Sequence, residues 1–390
     1  MKIAYFTDTY APEVNGVTST FDKLSVYLER KGVQHVFFAP DYKNAQAQRS
    51  DTTSKTKSVH RFPGVKVGMS PNSCLSFPKA SVINRLCDRF APDVVHVSTE
   101  FGIGYRGMKY AVSRKLPLIM SCHTDYCKYL KFFGLTPLQG AIETYLKWFY
   151  GFSQKTLVPS MHTLECLEEK AYKNLGIWTR GVDAGIFSKR YKSDNLRHEL
   201  GADGKFAFLY VGRLSPEKGL DLLLHAVREV NNRFPNKAIF VFTGDGPYAN
   251  IIRQSGISNI VMTGFKRGHE LSEIYASCDC FAMPSGTETF GNTILEAMSS
   301  GLPVAGIASG GATDYLRHGY NALLSAEGSK DAFTRNLVAI MENEELRKTL
   351  SENGLKTAMS RDWDGIFDRL LLDYAAVIKE NLDSLPKQVS

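Results

Sequence analysis

Nothing in the 390 residues approaches the ~20 consecutive apolar positions that a membrane-spanning helix needs, so any membrane contact is expected to be peripheral. The opening MKIAYFTDTY turns polar too soon to read as a signal peptide. Cysteine is sparse and unpatterned. The seven residues Cys74, Cys87, Cys122, Cys127, Cys166, Cys278 and Cys280 are odd in number and contain no CxxC pair, which fits reduced thiols in a cytosol. The first strand–loop–helix unit lacks a GxGxxG, which argues against a nicotinamide dinucleotide there. Asp362 and Asp364 spell a DxD, but they open a helical pattern beyond the last strands and read as a helix N-terminus, so no metal ligands are expected. No lysine stands in a cofactor-attachment context.

What is present describes a soluble chain long enough for two domains, with 43% hydrophobic and 22% charged residues. A formal charge of +7 is a mild excess. It fits an anionic ligand or an anionic membrane surface and requires neither, and no nucleic-acid partner is expected.

The first half reads as a series of buried strands: Lys2–Phe6, His35–Ala39, Asp93–Val97, Leu116–Ser121 and Lys155–Pro159. Helical patterns lie between them, among them 17–30 and 160–172, and Asp41–Ser58 reads as a surface loop. This is the pattern of a doubly wound α/β domain, in which ligands collect at the C-terminal ends of the strands. Those ends place Ser98, Thr99 and Glu100 near Cys122, His123, Thr124 and Asp125. His123 is the histidine of most interest by position, and a lone histidine is as readily structural as catalytic. Gly16, at a helix start, either admits a substrate to the backbone or acts as an N-cap. From Lys128 to Phe152 eight aromatic residues are interleaved with Lys128, Lys131 and Lys147. That mixture suits a membrane interface or a lipid-bearing acceptor, and core packing by a long connector explains it equally well.

After Arg180–Phe187 and an irregular polar stretch from Tyr191 to Lys205, a second series of strands begins: 206–212, 238–244, 259–264, 278–284 and 302–307. The domain boundaries are therefore set at 1–185, joined by a C-terminal helix of about 365–390, and 186–364. The central motif of the second half is PSGTETFGNTILEAMSSGLPVAGIASGG, from Pro284 to Gly311. A helix starting near Asn292 would leave the N–H groups of Phe290, Gly291, Asn292 and Thr293 open to an anion, with Glu288 beside it and Glu296 one turn deeper. Arg213 and Lys218 in GRLSPEKG bracket a helix start at Pro216 and would suit a diphosphate. TGDGP (Thr243–Pro247) is a glycine turn that serves either a ligand or plain turn chemistry.

With GRLSPEKG, TGDGP, the Glu288–Glu296 spacing, SGG and RGVD in order, essentially the whole chain resembles a retaining GT-B glycosyltransferase of family 4. TDTYAPEVNGV, HTDYCKYLKFFG and RGVDAGIF resemble the branch of glycolipid glucosyl-, mannosyl- and sulfoquinovosyltransferases. The resemblance implies two Rossmann-like domains facing a central cleft and a C-terminal helix that returns to the first. It implies transfer of a hexose from a UDP- or GDP-linked nucleotide-sugar donor to an acceptor hydroxyl, forming an α-linkage without a tightly bound metal or other cofactor. The acceptor is expected to be a lipid at the inner membrane face of the cytoplasm. A soluble sugar phosphate or aminocyclitol is the alternative, and a non-catalytic nucleotide-sugar-binding protein or a phosphorylase is more remote.

By the same resemblance, Arg213 and Lys218 would hold the diphosphate and Glu296 the ribose. Glu288 would face the sugar, with Phe290, Gly291, Asn292 and Thr293 at the phosphates. Gly244 and Phe265 would line the nucleotide, and the stretch Gly264–Lys266 the base. Gly16 and His123 would approach from the first domain, with Asp125 and Tyr129 on the acceptor side. Two departures stand out: Asp125 follows HT where another residue is usual, and Asp314 replaces a commoner glutamate after SGG.

Overall fold

The computed structural model describes residues 1–13, 15–42, 59–66, 74–124, 134 and 136–384. Its contacts gather into two compact units. One holds the described residues of Met1–Cys127 together with Thr136–Thr179 and the segment from Asp364, and the other holds Arg180–Trp363.

The first unit is an eight-stranded sheet in the order β4-β3-β2-β1-β5-β6-β7-β8. Its strands are β1 (Lys2–Phe6), β2 (Gln34–Asp41), β3 (Val59–Lys66), β4 (Cys74–Ser76), β5 (Val94–Val97), β6 (Leu118–Ser121), β7 (Lys155–Val158) and β8 (Leu175–Ile177). Neighbours pair in parallel except β3 with β4. Tyr5, Phe6, Phe37 and Phe38 are fully buried, as expected of strands covered on both faces by helices. Three strands of this unit, β3, β4 and β8, were not anticipated, and neither was Ala322–Ser325 in the other unit. The β3 sequence VHRFPGVK carries Pro63 and Gly64, which mask a strand signal, and β4 and β8 are three residues each. Positions 43–58 of the expected surface loop lie outside the described residues.

The helix Gly16–Arg30 follows β1 because Asn15 caps it. The Asn15 side chain accepts from the N–H groups of Val17 and Thr18, and the Thr18 hydroxyl accepts from the Asn15 N–H in return. Asn15 is thus the N-cap, and Gly16 is the first helical residue.

The C-terminal helix Trp363–Ser384 belongs to the first unit from Asp364 onward. Phe367, Leu370, Tyr374 and Val377 form its buried stripe. Lys155 pairs with Asp373 at 2.7 Å, Lys31 with Asp368 at 3.0 Å and Arg30 with Asp364 at 2.5 Å. Asp364 therefore serves the first turn of this helix.

The second unit is a six-stranded parallel sheet in the order β11-β10-β9-β12-β13-β14. Its strands are β9 (Phe206–Val211), β10 (Ala238–Thr243), β11 (Ile260–Gly264), β12 (Cys280–Met283), β13 (Val304–Ile307) and β14 (Ala322–Ser325). The stretch read as irregular, Tyr191–Lys205, contains a helix at Asp194–Glu199. Ser193 caps it through the Leu196 N–H, and Arg197 ties it down by donating to Asp279, Ser277, Ala202 and Lys205. Asp279 and Ser277 are 82 and 80 residues away, so the local pattern did not announce them. Among the described residues, no helix is long and apolar enough to cross a membrane.

Candidate functional site

Four loops meet at the C-terminal ends of β9, β10, β12 and β13, and glycine lets their backbones touch. A Cβ on Gly244 would stand 1.9 Å from the Gly212 carbonyl oxygen, one on Gly219 2.3 Å from that of Pro284, and one on Gly310 2.3 Å from that of Glu288. Each of these glycines also has a positive φ that other residues rarely adopt. The Gly311 N–H donates to the Glu288 carbonyl at 2.7 Å, and the Gly244 N–H to that of Gly264 at 2.8 Å. The end of β11 therefore adjoins the same cluster, with Phe265 just beyond it and 53% exposed.

The helix Asn292–Ser299 begins where the motif predicted. Gly291 is its N-cap at φ 89°, and no side chain caps it. Among the described residues, the N–H groups of Phe290, Gly291, Asn292 and Thr293 meet no acceptor, so the positive end of the helix dipole presents open donors. Tyr315 sets their direction. Its hydroxyl bridges the carbonyls of Phe290 (3.0 Å) and Gly291 (2.9 Å), turning the acceptor side of this loop inward. Arg361 lies over both the Phe290 and Tyr315 rings, at 5.7 and 5.0 Å. Asn321 fixes the same segment by donating to the Tyr315 carbonyl and accepting from the Arg317 N–H.

The charges of the cluster surround these loops. Lys218 Nζ donates to Glu288 Oε1 at 2.6 Å, and the two side chains are only 19% and 17% exposed. Glu217 is buried, accepts from the Ser215 hydroxyl at 2.6 Å, and holds Thr287 Oγ1 at its carbonyl. The Tyr210 hydroxyl donates to the Arg213 carbonyl at 2.8 Å. Burial pushes that phenol well above its ordinary range, Glu288 and Glu217 add to the rise, and Arg213 acts against it. Charged groups from two loops thus act electrostatically on one buried phenol. Glu296 lies half-buried one turn into its helix and accepts from Tyr275 at 3.0 Å. Tyr275 is itself pushed upward by burial first and Glu296 second.

The structure therefore brings together Gly244, Glu288, Phe290, Gly291, Asn292, Thr293, Lys218 and Arg213, with Glu296 on the same helix. Tyr315, Arg361 and Glu217 were not singled out from sequence. The only available signal for Tyr315 was a large aromatic with a hydroxyl four residues after SGG.

In the first unit, Gly16 and His123 stand after β1 and β6. His123 Nε2 meets Ser121 Oγ at 2.9 Å, and its ring faces Trp178 at 5.8 Å and Phe21 at 6.5 Å. Asp125 and Tyr129 lie outside the described residues.

Both halves of the chain match known families. Residues 192–357 match the family described as Glycosyl transferases group 1, and residues 14–185 match Glycosyltransferase Family 4. The chain belongs to glycosyltransferase family 4. It is 29% identical over 377 residues to a GDP-mannose-dependent alpha-mannosyltransferase of Mycobacterium tuberculosis, covering 97% of each chain. It is 27% identical over 317 residues to an alpha-monoglucosyldiacylglycerol synthase of Streptococcus pneumoniae, covering 78% of this chain and 70% of that one. The crystal structure of Anabaena HepE in complex with UDP superimposes with a TM-score of 0.76 at 18% identity, covering 96% of this chain and all of that one. The last likeness shows the GT-B fold. As a family 4 member the chain is a glycosyltransferase, and the cluster on the second unit is its candidate active site.

Proposed function

We propose that this glycosyltransferase moves a hexose from a UDP- or GDP-linked donor to a lipid hydroxyl with retention, forming an α-linkage. The observation that carries the reading is the Lys218–Glu288 pair set beside an uncapped helix end, with Arg213 on the adjoining loop. Positive charge develops at the anomeric carbon as the diphosphate leaves, so the groups that matter most are those that receive negative charge. Arg213, Lys218 and the amides of Phe290–Thr293 are that set. Their charge does the work that a divalent cation does elsewhere, and the reading needs no bound metal. Glu288 keeps Lys218 in place and faces the sugar, while Glu296 takes the ribose hydroxyls.

A lipid acceptor is supported by the relative named an alpha-monoglucosyldiacylglycerol synthase, and by Trp148 and Phe152, which are 45% and 38% exposed beside Lys147. Aromatic rings interleaved with lysine suit an anionic bilayer surface.

A thermal-shift screen against UDP-, GDP- and ADP-sugars tests the donor. One nucleotide class should raise the melting temperature, by about 2.7 kcal/mol of added stability at a hundred times its Kd. Arg213→Ala should abolish the shift, and a protein indifferent to all three classes would refute the reading. Flotation with anionic liposomes at low salt should carry the protein upward. Turnover with a soluble sugar acceptor, and no flotation, would move the acceptor to solution.

A further inference from the structure

Arg361 joins the point where the chain leaves the second unit to the open amides of its site. It follows the helix Glu344–Met359, and its N–H donates to the Ala358 carbonyl at 3.0 Å. Its own carbonyl accepts from the Val182 N–H at 3.1 Å. Val182 lies just after Thr179–Arg180 and Arg361 just before Trp363–Asp364, the two places where the described chain passes between the units. With its backbone pinned there, Arg361 sets its guanidinium over the buried rings of Phe290 and Tyr315, which are themselves 5.4 Å apart. Tyr315 is tied to the same helix from its other side. Asn321 Nδ2 donates both to the Tyr315 carbonyl at 2.8 Å and to Thr357 Oγ1 at 3.0 Å.

This arrangement bears on the amides through the geometry of the peptide group. A trans peptide is planar, and its C=O and N–H point in opposite directions. The carbonyls of Phe290 and Gly291 are held by the Tyr315 hydroxyl, so the N–H groups of Gly291 and Asn292 are fixed to point away from it. The phenol keeps its proton: burial pushes it well above its ordinary range, Glu288 adds to the rise, and Arg361 acts against it. In a buried setting a cation that reaches the phenol also polarises the O–H, which strengthens it as a donor.

We propose that Arg361 is a positioning residue of the donor site: it clamps the Phe290–Tyr315 ring pair, so that the amides of Gly291 and Asn292 stay aimed at the donor diphosphate. The inference rests on the proposed placement of the diphosphate at this helix end.

Calorimetric titration of the full chain with UDP and with GDP, well below its melting temperature, tests it. Arg361→Met, with Arg361→Gln as a second neutral variant, should weaken binding of the nucleotide that wild type prefers by about tenfold. Arg361→Lys, which keeps a cation near the rings, should recover affinity to within about threefold of wild type. An arginine with a merely structural role would lower the melting temperature and leave the affinity of the folded protein unchanged. Combined with Tyr315→Phe, the loss from Arg361→Met should fall well short of additive, because both changes act through one hydroxyl. Full additivity would mean that Arg361 acts by its charge alone, and overturns the positioning role. Unchanged affinity in the folded neutral variants, with Lys218→Met weaker by about tenfold or more, overturns the proposal and leaves the donor site standing. Wild type that binds neither nucleotide overturns both.

Discussion

The two units present their strand ends in different ways. In the second, glycine brings backbone against backbone, and the charges come in close sets: Lys218 with Glu288, and Arg213 and Glu217 around Tyr210. In the first, the described strand ends are lined by imidazoles, hydroxyls and aromatic rings, and one carboxylate is deeply buried. Asp8, after β1, accepts from the Ile103 N–H at 2.9 Å and Thr99 Oγ1 at 2.7 Å, capping the start of the helix Gly102–Arg114. A doubly charged ligand demands concentrated, preorganised donors. A neutral sugar demands orientation. On the proposed reading, the same βα architecture meets both needs by changing what fills the loops.

Removing charge from the second unit should have the largest effect. Arg213→Ala is expected to lower kcat by 10²–10³, about 2.7–4 kcal/mol at the transition state, with the melting temperature of the unliganded protein nearly unchanged. A loss below tenfold in steady-state assays would place the diphosphate elsewhere.

The backbone contacts sharpen the contrast next. Gly244→Ala puts a Cβ 1.9 Å from the Gly212 oxygen at φ 142°, and should cost about 3 kcal/mol in urea unfolding. Gly140→Ala in the first unit has nothing within 4 Å and lies in the helix Gln139–Tyr150, so it should be neutral or stabilising by up to about 1 kcal/mol. Equal effects at the two sites would erase the distinction.

Tyr315→Phe removes the hydroxyl that bridges Phe290 and Gly291, at an expected cost of roughly 2 kcal/mol in stability. Donor affinity should weaken severalfold in calorimetric titration, because the open amides lose their fixed direction.

The smallest effect belongs to the buried acid. Burial raises the Asp8 carboxyl from its ordinary range to about 6, opposed by hydrogen bonds from Ile103, Thr99 and Gly104. Between pH 4 and 6 the folded state therefore binds more protons than the unfolded one. The Asp8 contribution to stability accordingly decreases as pH rises through this window. Asp22, raised to about 6 mainly by burial, acts in the same direction. Asp8→Asn should flatten the dependence by about 1–2 kcal/mol between pH 4.5 and 7, read from denaturant midpoints.

Much of this protein was legible in the linear chain. The alternation of buried strands and amphipathic helices requires two doubly wound units, because parallel strands must be covered on both faces. The start of the helix at Asn292, the open amides before it and the glycines of the clustered loops follow from local rules of capping and backbone freedom, which act over a few residues. The partnerships stayed hidden. Lys218 and Glu288 are 70 residues apart, Arg361 reaches a ring at Phe290, and Tyr374 reaches His96 across 278 positions. No periodicity records such meetings, because they depend on where the sheet order β11-β10-β9-β12-β13-β14 and the final helix deliver each side chain. Sequence by itself determined the repertoire of donors, acceptors and turns; tertiary structure decided which of them share a neighbourhood, since hydrogen bonds and ion pairs act over a few ångströms of space.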